Sequence, residues 1–131
     1  MRKLGEFFQA ADWKTEKHVP VIECPEAVKS GERFEIKVSV GKEITHPNTT
    51  EHHIRWIQVF FQPEGEQYSH ELVNCEFTAH GESVKGANQG PVYAEPMAST
   101  GAMINKPGTI YALSLCNIHG LWENSKEVRV S

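Results

Sequence analysis

The chain reads as an all-β protein, an antiparallel β-sandwich of about seven strands preceded by a short N-terminal helical turn. Three observations predict this. Apolar and polar residues alternate along several short runs, turn-forming Gly, Pro and Asn residues separate those runs, and no stretch sustains a helical period or an internal repeat. At 131 residues the chain is expected to form a single domain over 1–131, long enough to bury a core without covalent staples.

Taken in order, Leu4, Phe7 and Phe8 fall at i, i+3 and i+4 and predict a helical turn with one apolar face. In the segment His18 to Pro25, Pro20 and Pro25 forbid a central ladder position, so an edge strand or extended arm is expected. The clearest strand is Arg33 to Val40, where Phe34, Ile36, Val38 and Val40 alternate with polar residues. Gly41 to His53 reads as a loop and Ile54 to Phe61 as a strand. That strand is apolar on both parities, with Ile54, Trp56 and Phe60 on one side and Ile57, Val59 and Phe61 on the other, which predicts a subunit interface over its outer face. Glu71 to Ala79 alternates again and places Cys75 in the core. Gly81 to Pro91 is a long connection, Val92 to Ala94 and Met103 to Ile104 are short strand candidates, and Thr109 to Cys116 and Glu127 to Val130 complete the set.

Charge narrows the function. A formal net charge of -4, with no Lys/Arg run, excludes a nucleic-acid or anionic-membrane binder, which needs a phosphate-neutralising stripe. The cysteines, Cys24, Cys75 and Cys116, are odd in number and contain no C-x-x-C pair, so unpaired thiols in a reducing compartment are expected. The opening residues carry no apolar signal region, and no stretch reaches the length of a membrane span. A soluble, cytoplasmic protein is the expectation.

The chemistry concentrates in three segments. Cys116-Asn117-Ile118-His119-Gly120 sets a thiolate and an imidazole three residues apart on a turn closed by glycine. Upstream lie Glu16-Lys17-His18-Val19-Pro20 and His46-Pro47-Asn48-Thr49-Thr50-Glu51-His52-His53. Pro47 holds His46 extended and limits the freedom of its loop. His52 and His53 are adjacent at a strand mouth and point to opposite faces, so one of the two belongs to the site. A four-imidazole, one-thiolate set is too large for structural zinc, which closes at four ligands. It suits ferrous iron, with the thiolate donating electron density to whatever binds opposite.

These three segments, in this order and over nearly the whole chain, resemble the metal-site motifs of the superoxide reductases, specifically the one-iron neelaredoxin type related to desulfoferrodoxin. The resemblance implies an immunoglobulin-like sandwich holding one mononuclear non-haem iron in square-pyramidal geometry. It makes His18, His46, His52 and His119 the equatorial ligands and Cys116 the axial one, and so selects His52 over His53. The two-iron branch adds a cysteine-rich N-terminal domain, and without such cysteines this chain is expected to hold one iron per subunit. The implied reaction is one-electron reduction of superoxide to hydrogen peroxide without release of dioxygen, a detoxification fed by electron transport from a rubredoxin-like protein. A homotetramer is implied as well.

By the same resemblance, Lys17 attracts the superoxide anion, and Glu16 is the carboxylate that ligates the ferric resting state. The backbone N–H groups of Asn117, Ile118 and His119 are placed to donate to the Cys116 sulfur, and Trp122 packs near the site or in the core. Three other readings predict different features. A blue-copper carrier needs a Met after the Cys/His loop, which is absent; a non-catalytic binding module leaves the histidines scattered; a dismutase consumes no external electrons.

Overall fold

A computed structural model describes all 131 residues as two packed β-sheets and one turn of 3-10 helix. The turn is Leu4–Phe7, and the strands are β1 Pro20–Glu23, β2 Ala27–Val28, β3 Phe34–Val40, β4 Ile54–Pro63, β5 His70–Glu76, β6 Met97–Ala102, β7 Gly108–Cys116 and β8 Gly120–Val130. One sheet has the order β1-β3-β6, the other β2-β8-β7-β4-β5. This two-sheet arrangement is immunoglobulin-like.

The core follows from alternation. Phe34, Ile36, Val38 and Val40 of β3 face Ile57, Val59 and Phe61 of β4 and Ile110 and Ala112 of β7 within one cluster of 17 buried residues. Ile57, Val59 and Ile110 are wholly buried, and each such side chain contributes about 1.5–3 kcal/mol relative to exposure. β1 is an edge strand, as its prolines require, and pairs only with β3.

Several expectations shift on contact with the tertiary structure. The Leu4–Phe7 turn forms, but Leu4 and Phe7 are exposed, and the Arg2 guanidinium covers the Phe7 ring at 4.1 Å instead of a core contact. Ile54 does not share a face with Trp56: a bulge between them turns Ile54 inward, leaving Trp56 and Phe60 half-buried on the outer face. Cys75 lies on the edge strand β5 and is half-buried against the core, not within it. Val92 to Ala94 forms only an isolated bridge between Tyr93 and His80, and Met103 to Ile104 gives way to β6 just before it. The last strand is far longer than Glu127 to Val130, because its first half pairs with β7 from Gly120 onward. The sheets are also not wholly antiparallel, since β2 runs parallel to β8.

Candidate metal centre

Three chain segments meet at one end of the sandwich. The first is the β7–β8 hairpin, whose loop is Asn117-Ile118-His119 between the paired residues Cys116 and Gly120. A three-residue hairpin loop needs its next residue in the left-handed region, and Gly120 supplies it at φ 80. The hairpin tip therefore carries Cys116, which is buried, and His119, which is exposed. The His119 N–H donates to Cys116 Sγ at 3.3 Å, whereas the Asn117 N–H is spent on the His53 carbonyl at 3.1 Å. Of the three amides expected to serve the sulfur, His119 is the one that does so directly.

The second segment enters β1. His18 is buried, its carbonyl accepts from the Ser114 hydroxyl of β7 at 3.3 Å, and its ring stacks on Trp122 of β8 with centroids 4.9 Å apart and planes 12° apart. The Trp122 indole N–H donates to the His119 carbonyl at 3.2 Å, so one tryptophan braces two of the expected ligands. Trp122 is thus both a buried packing residue and a wall of the site.

The third segment is the loop between β3 and β4. Gly41 opens it at φ 91, and a Cβ there would meet the His46 nitrogen at 2.7 Å, so this turn requires glycine. The His46 Nδ1–H donates to the Pro47 carbonyl at 2.6 Å and leaves Nε2 as the lone-pair nitrogen. At the strand mouth His52 and His53 part company as alternation demands: His52 turns to the site and His53 away from it.

One donor atom each of His18, His52, Cys116 and His119 lies within 4.8 Å of the others. His46 stands beside this group. Its ring centroid is 4.8 Å from that of His18 and 4.9 Å from that of His52, while His52 and His119 are 5.0 Å apart and His119 and His18 4.7 Å apart. The four rings thus occupy the corners of a near-square, with 6.5 Å between His18 and His52 across one diagonal. Cys116 Sγ approaches His119 Nδ1 at 3.8 Å.

The chemistry of these donors fits an iron. The only buried side-chain nitrogen or oxygen atoms without a hydrogen-bond partner are His46 Nε2 and His52 Nε2. A buried polar atom without a partner costs about 1–3 kcal/mol, and a metal ion bound by both nitrogens would satisfy them. Desolvation by burial pushes His46 down to about 4, over the opposing pull of the Pro47 carbonyl, and the neighbouring histidines and Lys17 add to the fall. Burial lowers His52 too, followed by His119, His18 and Lys17. Both rings are held neutral at pH 7 with lone pairs free, the state a metal requires.

The desulfoferrodoxin family model matches residues 10–125. The chain belongs to the desulfoferrodoxin family. It is 58% identical to the neelaredoxin of Megalodesulfovibrio gigas over 96% of this chain and 97% of that one. It is 56% identical to the superoxide reductase of Pyrococcus furiosus over 92% of this chain and 95% of that one. A crystal structure from Thermotoga maritima, 60% identical, superposes with a TM-score of 0.97 and covers 100% of this chain and 99% of its own.

Besides His46, two further sequence-expected residues lie outside the donor group. Glu16 turns its Oε1 to the Nδ1 edge of His18 at 2.6 Å, and Lys17 is half-buried and makes no ion pair. Other positions hold the site in ways the sequence did not assign. His53 stacks on His80 with centroids 3.5 Å apart, and its Nδ1–H donates to the Thr49 carbonyl at 2.9 Å. Both ring nitrogens of His80 face acceptors, Asn48 Oδ1 at 2.9 Å and the Phe77 carbonyl at 2.7 Å. The Thr50 hydroxyl donates to the His80 carbonyl at 2.7 Å, and Asn88, in the left-handed region at φ 62, accepts from the Thr50 N–H at 2.8 Å. Asn117 ties the hairpin to the loop, accepting from the His53 N–H at 2.9 Å and donating to the Glu51 carbonyl at 2.9 Å. The only sequence signal for this scaffold is the density of Asn and Thr around the ligand motifs. No helix is long and apolar enough to cross a membrane.

Proposed function

We propose that the protein is a superoxide reductase that converts superoxide, one electron and two protons into hydrogen peroxide without releasing dioxygen. The observation that carries this reading is the near-square of four imidazoles with the buried sulfur of Cys116, two of the ring nitrogens lacking any partner. His18 Nε2, His46 Nε2, His52 Nε2, His119 Nδ1 and Cys116 Sγ are the assigned ligands of one iron, with Glu16 as a sixth ligand in the ferric resting state. When bound, the iron supplies one-electron chemistry between its ferrous and ferric forms.

The chain's own groups set the conditions. Cys116 supplies an anionic sulfur, and the His119 N–H bonded to it tempers its electron donation. Lys17 supplies positive charge beside His46 and His52, where an incoming superoxide anion is attracted. The electron donor is a small rubredoxin-like iron protein of the same cytoplasmic compartment. The outer face of β4 and β7 carries Trp56, Phe60, Tyr111, Leu113 and Leu115 side by side in register, an apolar stripe that supports a homotetramer.

Metal analysis with optical spectra of oxidised and reduced protein is the direct test. About one iron per chain is expected, with a visible thiolate-to-iron(III) band that bleaches on reduction and is absent in Cys116→Ser. Zinc alone, or no metal, after native purification would sink the reading. Electron counting then separates a reductase, which consumes one electron per superoxide, from a dismutase, which consumes none.

A further inference from the structure

The placement of Glu16 goes beyond the assignment of a ferric ligand, although it rests on the metal-centre reading. We infer that Glu16 is a positioning residue for His18, fixing which ring nitrogen is offered to the metal. Its Oε1 accepts two N–H groups of that one residue, the ring Nδ1–H at 2.6 Å and the backbone N–H at 2.9 Å. A neutral imidazole has a single N–H, so donating it from Nδ1 leaves the lone pair on Nε2. That nitrogen is the one in the donor cluster, 3.1 Å from His119 Nδ1.

The environment makes an acceptor oxygen at this edge matter. The His18 side chain is 7% exposed and that of Glu16 30%, so Glu16 stands between the Nδ1 edge and solvent. Trp122 fixes the plane of the ring by stacking but leaves it free to flip within that plane, which would exchange its two edges. Glu16 removes that freedom. It also distinguishes His18 from His46, whose Nδ1–H goes to the neutral Pro47 carbonyl. A carboxylate partner raises the basicity of a ligating imidazole more than a carbonyl does.

Two duties then compete for one side chain. While Oε1 holds the Nδ1 edge of His18, Glu16 stays outside the donor cluster, so it would have to leave this bond to serve as a metal ligand through Oε1. The ferric ligand therefore has a defined place to return to, and removing it disturbs the site in every metal state.

The test compares full-length wild type, Glu16→Gln and Glu16→Ala loaded with cobalt(II), an ion whose affinity is measured by chelator competition without any turnover. Glu16→Ala is expected to bind about 10- to 100-fold more weakly, as loss of such a partner does at other metal sites. Glu16→Gln keeps an amide oxygen for the same two N–H groups and is expected to stay near wild type. In the zinc-loaded proteins, the His18 Nδ1–H proton should be protected from solvent exchange in wild type and Glu16→Gln and lost to exchange in Glu16→Ala by NMR. Equal affinities and equal exchange in all three would overturn this inference alone. Failure of the wild type to take up either ion would sink the metal-centre reading and this inference with it.

Discussion

His52 and His53 stand side by side at the entry to β4, yet the first aims an unpartnered Nε2 at the donor cluster, while the second stacks on His80 and gives its Nδ1–H to the Thr49 carbonyl. The same contrast extends to their clusters. Around His18, His46, His52 and His119, lone pairs converge and two remain orphaned; around His53 and His80, the rings lie flat against each other and hydrogen bonds hold them to the loop. A buried histidine whose ring nitrogen has no partner is suited to a metal, and one stacked and hydrogen-bonded to its own loop is a strut.

The sharpest break of this comparison is the adjacent pair. His52→Ala should lose most of its iron and its visible band, whereas His53→Ala should keep close to one iron per chain. Equal iron loss in both would erase the distinction. Next in size, His80→Phe keeps an aromatic ring in the stack but removes the ring nitrogens that face Asn48 Oδ1 and the Phe77 carbonyl, and with them the ring N–H that bonds one of the two. It should lower stability by about 1–3 kcal/mol in denaturant titrations with iron content preserved.

Protonation sharpens the contrast from the other side. In the chelator-stripped chain the His46 pKa is depressed from 6.5 to about 4 by folding. Between those values the unfolded chain binds more protons than the folded one, so stability should fall as pH drops from 6.5 toward 4 and level off below. A denaturant midpoint that stays flat across that window in wild type, or falls equally in His46→Asn, would contradict the assignment. The smallest effect on the site itself belongs to Lys17. Lys17→Ala should retain iron and spectrum but slow the encounter with superoxide by up to about tenfold at low salt, with a weaker salt dependence than wild type. Loss of Glu16 should slow that encounter less, and equal slowing by pulse radiolysis would count against the separate roles.

Legibility from sequence tracked the strength of local pattern. The β3 run was readable because Phe34, Ile36, Val38 and Val40 alternate there with polar residues, and β7 because an almost continuous apolar run follows the Pro107-Gly108 turn. β6 was not, since Ala98, Ser99, Gly101 and Ala102 bury too little apolar surface to signal a face, and pairing with β3 alone makes it a strand. The two-residue β2 exists only through its partner β8. At the site, the donors stood out because His and Cys clustered in motifs, while the scaffold did not: Asn88 reaches Thr50 across 38 positions and His80 reaches Asn48 across 32.

By itself, the sequence determined the donor types, their order along the chain and the alternation that makes a β-sandwich, because each depends on residues a few positions apart. The tertiary structure decided which nitrogen of each ring stays free, that His52 and not His53 joins the cluster, and that Glu16 lies against His18. Those outcomes depend on where each N–H finds an acceptor and how the two sheets bring the loops together. In a buried site, the hydrogen bond at one edge of an imidazole settles what the other edge can bind.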